Sequence, residues 1–225
     1  MSDTYFDNIA DPDAGAVKQR RLYAAGGKRI FDIVFVLVAT PLILPVIFFA
    51  WALTHMTGGS GFYRQTRVGR GGIQFQCWKI RTMSPDAEQS LEYALLANPN
   101  AAEEWRRTQK LVDDPRVTGF GRLLRKTSVD EFPQFWNILK GDMSLIGPRP
   151  FTPNQQEMYD AASAGPSYYQ LRPGLSGLWQ ISSRSAGEFC DRVGYDEEYT
   201  KHVSLFYDLK IICRTIVVVL KSTGK

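Results

Sequence analysis

Histidine is scarce in this 225-residue chain, with only His55 and His202, so a histidine-based catalyst is not supported. The three cysteines, Cys77, Cys190 and Cys213, are odd in number and widely spaced. Their spacing matches no zinc site and no disulfide framework, and they are expected to be buried small hydrophobes in a reducing compartment. There is no nucleotide P-loop, no G-x-G-x-x-G dinucleotide fingerprint and no internal repeat. A net charge of +4 is too weak to indicate nucleic acid, although it suits anionic lipid or nucleotide ligands. Hydrophobic content of 44% and charged content of 22% are ordinary for a folded protein.

Charge is missing altogether from Ile33 to Leu53. As a straight helix this run would be about 31 Å long, against a hydrocarbon core of ~30 Å. It begins too late and runs too long for a signal peptide. Its flanks are basic on both sides: Lys18, Arg20, Arg21, Lys28 and Arg29 before it, Arg64, Arg67 and Arg70 after it. The positive-inside tendency then puts both ends in the cytoplasm. Pro41 and Pro45 interrupt the run, and a break at Pro45 leaves arms of about 18 Å and 12 Å, each too short to cross. A re-entrant helix-break-helix satisfies both facts; a kinked single-pass helix is the alternative.

The chemistry-bearing run is Asp114 to Pro150, with Asp130 and Glu131 side by side at its centre. Arg116, Arg122, Arg125 and Lys126 precede the pair; Asp142 and Gly147-Pro148-Arg149-Pro150 follow it. Carboxylates among cations suit a site for phosphates and a divalent metal, because cations neutralise phosphate oxygens while a carboxylate binds Mg²⁺ or attacks phosphorus. The structural alternative is a capping box, Ser128-x-x-Glu131. Pro133 weighs against it, since proline suits a first helical turn and leaves the acids in the loop before.

Elsewhere, Val68–Gly72 reads as a turn and Ile73–Trp78 alternates as a strand, with Lys79 and Arg81 near its end. Helices are expected from Ser84-Pro85 to about Ala97, from Asn98-Pro99 to about Lys110, and from Pro133 to Leu139 with Gly141 closing it. Further helices are expected over Asp196–Lys201 and Ser204–Lys221, the latter with Asp208, Lys210, Arg214 and Lys221 on a polar side, suited to the core or to the membrane interface. The fold class is α+β, helix-rich, with few short strands and amphipathic interfacial helices. Residues 1–27 read as a flexible leader broken by Gly26-Gly27, 28–57 as the membrane hairpin and 58–225 as a compact catalytic domain.

Lys28-Arg29-x-x-Asp32 before a proline-broken apolar segment, Lys79-Ile-Arg-Thr-Met83, the Asp114–Pro150 run and Arg172-Pro-Gly-Leu-Ser-Gly177 occur in one order. In that order they resemble the bacterial sugar transferases, monotopic phosphoglycosyl transferases that start polysaccharide assembly on a polyprenyl phosphate. The resemblance covers about Gly26 to Lys225. It implies transfer of a sugar 1-phosphate from a UDP-sugar to undecaprenyl phosphate at the cytoplasmic face of the inner membrane, with release of UMP. It implies Asp130 as nucleophile with Glu131 its neighbour, and Mg²⁺ held by Asp130 and Glu131. Arg149, fixed between two prolines, is the first choice for phosphate, then Lys79, Arg81, Arg125 and Arg122. Gln180 and Arg184 are expected near the nucleotide or sugar. Family members often carry a small polar residue before the proline at the membrane break; here Leu44 precedes Pro45, and Thr40-Pro41 has the polar residue at another spacing. Gly177-Leu-Trp-Gln180 resembles exopolysaccharide members that use galactose or glucose. Partners are then the UDP-sugar, the lipid phosphate and membrane lipid, without nucleic acid; a homo-oligomer is compatible. A non-catalytic scaffold that binds nucleotide sugars, or a single-span glycosyltransferase releasing UDP, remains as an alternative.

Overall fold

The computed structural model of the chain describes residues 22–109, 111–182 and 188–220, so Arg184 and the leader up to residue 21 lie outside the described residues. Helix α1 (Lys28–Met56) follows a wider helical turn over Tyr23–Gly27. Gly26 and Gly27 are therefore helical, which corrects the expected break there. Tyr23 explains it: the ring is buried, its hydroxyl donates to Asp208 at 2.7 Å, and Lys28 reaches the same carboxylate oxygen at 2.6 Å. Helical assignment also runs on through Pro41 and Pro45. The expected interruption between two helices is thus absent as a loop, and the prolines remove donors within one helical element. In so apolar a segment, every further backbone group released from the helix would lack a partner. Only 11% of its most apolar stretch is buried. Val34, Leu37, Val38, Leu42, Phe48, Phe49 and Leu53 are exposed.

The expected turn and the strand after it belong to an antiparallel hairpin. Strand β1 (Phe62–Val68) pairs antiparallel with β2 (Gln74–Ile80), from Phe62 opposite Ile80 to Val68 opposite Gln74. Its turn uses Gly71 and Gly72 at φ of 67° and 79°, where a side chain would be strained. Helix α2 (Ala87–Ala97) begins later than Ser84-Pro85 because Ser84 donates its backbone N–H to Arg116 beside the Met83–Val117 bridge. Helix α3 (Pro99–Thr108) starts as expected, with the Asn98 side chain accepting from Asn100 and Ala101. Helix α4 (Gly119–Thr127) leads through a single tight turn, Val129–Glu131, to α5 (Gln134–Lys140), which Gly141 closes at φ 97°.

Beyond α5, β3 (Ser144–Ile146) pairs in parallel with β4 (Gly174–Ser176). Between them lie α6 (Gln156–Ala162) and α7 (Ser167–Gln170). Helices α8 (Leu178–Ser182), α9 (Arg192–His202) and α10 (Leu205–Leu220) complete the chain. One core joins α1, the hairpin, α5, β3, α9 and α10 through Val36, Cys77, Phe135, Ile138, Ile146, Tyr199 and Ile211. A second gathers Val68, Phe151, Tyr159, Tyr168, Phe189 and Val193. Of the cysteines only Cys77 is buried; Cys190 is half-buried and Cys213 exposed. Asp208 is also corrected: it is buried rather than on the polar side of α10, because Tyr23, Lys28 and Tyr199 all donate to it. The exposed side of α10 carries Phe206, Leu209, Ile216, Val217 and Leu220.

Both ends of α1 are fastened to this body. At the start, the Arg29 guanidinium donates to the Ile138 and Leu139 carbonyls, and Asp32 accepts from the Leu145 N–H at 3.0 Å. At the end, Ala50 packs with Ile80 and Leu124, and Trp51 stacks on Phe62.

Asn137 ties α5 to the hairpin. It is fully buried, accepts from the Trp78 N–H at 3.0 Å and donates to the Gln76 carbonyl at 2.7 Å. Asn137→Ala orphans both backbone groups, at roughly 1–3 kcal/mol each. Denaturant unfolding in detergent is expected to show a loss of about 2–4 kcal/mol; a change within ±0.5 kcal/mol would contradict the tie.

Candidate active site

The α4–α5 connection sets the acids. Ser128 ends α4 in the left-handed conformation, φ 58°, and makes no side-chain cap. An N-cap residue needs extended backbone, so the capping-box reading fails on geometry. The chain instead makes a tight turn over Val129–Glu131 and brings both carboxylates to Lys79, at 2.7 Å for Glu131 and 4.0 Å for Asp130.

Glu131 Oε1 accepts from Lys79 Nζ at 2.7 Å and from Arg149 Nη2 at 3.3 Å. Lys79 comes from β2 and Arg149 from the loop after β3, so three separate segments converge on one oxygen. Asp130 is 6% exposed, lies 4.0 Å from Lys79 Nζ, and has no hydrogen bond among the described residues. Arg125 approaches from α4, its Nε donating to Thr82 Oγ1 at 2.9 Å. Lys79, Arg125 and Arg149 are thus brought to the acid pair as expected.

The electrostatics split the pair. Burial pushes Asp130 up to about 6; Lys79 opposes the rise, Glu131 adds to it, and Arg125 and Arg149 offset part of it. Burial also acts to raise Glu131, but the charges and hydrogen bonds of Lys79 and Arg149 outweigh it and hold that carboxyl well below its ordinary range. Glu131 is therefore a fixed, spent anion, while Asp130 is a poorly solvated carboxylate without a donor.

Arg81 is not brought here. It lies just beyond β2, and its guanidinium donates to the Thr54 and Gly58 carbonyls at the end of α1. Arg122 points outward one position after Gly121, which packs against the Thr82 carbonyl, and its contact is the Val117 carbonyl at 3.4 Å. Arg116 is engaged by Asp114 at 2.6 Å, and Asp142 by Asn137 and Lys140. Gln180 is buried on α8.

Sequence reasoning missed Arg67 and Gln134 as site residues. Both line a shallow recess together with Cys77, Lys79, Glu131, Arg149, Pro150, Gly174 and Leu175. Its interior volume is about 10 Å³, far below the ~300–1,000 Å³ of drug-sized ligand pockets, so no whole nucleotide sugar fits it in this conformation. A larger open groove of about 690 Å³ between α3 and Glu188 is walled by Glu103, Glu104 and Glu188 with Arg107, and repels an anionic substrate. Arg149 follows the carboxyl end of β3, and the recess reaches Gly174 and Leu175 of β4. There Gly147, Gly174 and Gly177 interlock: a Cβ on Gly147 or Gly177 would run into backbone of the facing segment.

An uncovered apolar helix and a cation-lined aspartate are the features a phosphate-handling enzyme at a membrane would need. A family model described as bacterial sugar transferase matches residues 23–222. The chain is 46% identical over 198 residues to the exopolysaccharide production protein ExoY of Rhizobium meliloti (strain 1021), covering 88% of this chain and 87% of that one. It is 40% identical over 197 residues to the undecaprenyl-phosphate galactose phosphotransferase of Salmonella typhimurium, covering 88% of this chain but only 41% of that longer protein. With the UDP-glucose:undecaprenyl-phosphate glucose-1-phosphate transferase of Caulobacter vibrioides it shares 38% identity, over 84% of this chain and 68% of that one. The chain belongs to the bacterial sugar transferase family, and with it to the phosphoglycosyl transferases.

The raised Asp130 carboxyl has a measurable consequence in the ligand-free protein. Its folded pKa lies above the unfolded value near 3.9, so ionised Asp130 costs stability that is absent below about pH 4 and complete above about pH 6. In EDTA, Asp130→Asn is expected to melt higher than wild type at pH 8 and to match it at pH 4. Equal melting temperatures at both pH values would contradict the burial effect.

Proposed function

We propose that this protein transfers hexose 1-phosphate from UDP-galactose or UDP-glucose to undecaprenyl phosphate, releasing UMP, as the first step of exopolysaccharide assembly. The observation that carries it is the buried Asp130, 4.0 Å from Lys79, beside Arg125 and Arg149 and without a hydrogen bond among the described residues. A carboxylate is a nucleophile without prior deprotonation at neutral pH. An Asp130 oxygen attacks the phosphorus bearing the sugar; the bond to the bridging oxygen breaks, and UMP departs with that electron pair. An oxygen of undecaprenyl phosphate then attacks the same phosphorus, returning the carboxylate and yielding the lipid diphosphosugar. Two polyanions need not share a recess this small at once.

Glu131 does not attack in this scheme. Its charge is committed to orienting Lys79 and Arg149, which meet the phosphate oxygens. Mg²⁺ commonly takes one or two carboxylates plus substrate phosphates, and Asp130 with Glu131 Oε2, the oxygen that Lys79 and Arg149 do not use, could supply the two. When bound by Asp130 and Glu131 it would offset diphosphate charge.

Membrane placement follows the same reading. The exposed apolar residues of α1 call for lipid, while both ends of α1 are fastened to one globular body. A straight crossing would carry the two ends to opposite faces, so we place α1 as a re-entrant element with the body at the cytoplasmic face. Exposed Leu123 and Trp136, with the apolar side of α10, would rest in the interface.

UMP release from a panel of UDP-sugars, with undecaprenyl phosphate in detergent, tests the reaction. Asp130→Asn is expected to lose ~10³-fold or more of the rate, and wild type to form an acid-stable phosphosugar adduct that the variant lacks. Retained activity in the variant would remove Asp130 as nucleophile, UDP in place of UMP would select a glycosyltransferase, and binding without turnover a scaffold. Tags at residues 1 and 225 are expected on the cytoplasmic side together; detection on opposite faces would refute the re-entrant placement.

A further inference from the structure

Arg192 opens α9 and is 5% exposed, yet no acid lies within ion-pair distance of it among the described residues. Its Nε and Nη1 have no hydrogen-bond partner among the described residues. Two rings hold the guanidinium in place, Trp179 at 4.7 Å and Phe189 at 4.4 Å from its carbon. Burial depresses its pKa to about 10; Asp196 works against that, while Arg149 and Arg67 add to it. Asp196 is a weak counter-ion, since burial pushes it up to about 7 and Tyr159 occupies one of its oxygens at 2.9 Å. A desolvated cation beside two other cations is costly, and folded proteins normally pair such a charge. One residue after Trp179, Gln180 is buried with both amide atoms unpartnered among the described residues. Neighbouring helices α8 and α9 thus hold unspent donors.

Their placement indicates what they await. Arg149 leaves the carboxyl end of β3, and α8, which carries Trp179 and Gln180, follows β4. An extended anion lying across those strand ends meets Arg149 and then Arg192. We infer that Arg192 binds the second phosphate of the nucleotide donor, the one that departs with the nucleoside. The assignment rests on the donor class proposed above and adds to it a leaving-group subsite. When the phosphorus–oxygen bond beside Asp130 breaks, the electron pair stays on the nucleoside monophosphate, and its new charge is neutralised by a guanidinium already stripped of water and locked in orientation. Rigid ring stacking fixes the fork, so little side-chain freedom is lost on binding.

Calorimetric titration of the full-length protein with UMP and with uridine isolates the phosphate. Wild type is expected to bind UMP at least about 10-fold more tightly than uridine. Arg192→Met is expected to bind the two alike, with uridine affinity unchanged, and Arg192→Lys to recover part of the preference. Because the buried charge is unpaired without ligand, Arg192→Met should also melt at the wild-type temperature or above it. A core role for Arg192 gives the reverse: a lower melting temperature, or no fold, with the UMP preference kept wherever the protein folds. Either of those outcomes, or a wild type that does not distinguish UMP from uridine, overturns the subsite. Failure of wild type to release UMP from any UDP-sugar, with the UMP preference intact, would instead reject the transferase reading alone.

Discussion

One carboxylate oxygen holds the centre of this molecule together. Glu131 Oε1 receives Lys79 from the hairpin and Arg149 from the loop after β3, and so joins three pieces of chain that share no continuous secondary structure. Such a partly buried, multiply bonded ion pair fixes positions more than it adds stability. Its value lies in what it does to the next residue. With Glu131 consuming the local positive charge at close range, Asp130 is left a buried carboxylate 4.0 Å from Lys79, with no hydrogen bond among the described residues.

That division of labour between adjacent acids follows from backbone geometry. The left-handed Ser128 sends the chain into a tight turn, and within the turn Glu131 comes into hydrogen-bond contact with Lys79 while Asp130 stops 4.0 Å short of it. A regular helix through the same residues would have let Glu131 cap its own N-terminus. The surrounding frame makes the turn reproducible: α4 is pressed on Thr82 through Gly121, and α5 is tied to β2 through Asn137. The hairpin, α4 and α5 thereby act as a bracket around the acid pair.

Much of this was legible in the chain and some was not. The β1–β2 hairpin announced itself by alternation and a glycine turn, and α5 by its proline start and glycine stop. Arg149 was conspicuous because two prolines flank it. Local pattern misjudged residues whose partners are remote in sequence. Arg81 resembled Lys79 by position, yet the strand ends between them, and Arg81 serves the carbonyls at the end of α1. Asp208 fitted a polar helical face until Tyr23 and Lys28, some 180 positions earlier, were found bonded to it. Arg67 and Arg192 offered no local signal at all, since what distinguishes them is burial among aromatic rings and other cations. The prolines of α1 gave true information about composition and misleading information about continuity.

The interlocked glycines at the β3–β4 joint bear on how the enzyme can diversify. Gly147 and Gly177 touch backbone directly, so the joint has no side chain to trim or enlarge. Arg149 hangs from one side of it and Gln180 from the other. Any substitution there shifts both at once, along with their distance from Asp130. The selectivity of the site can therefore be altered with least disturbance at positions away from this joint, where a side chain can change without moving the backbone that carries Arg149.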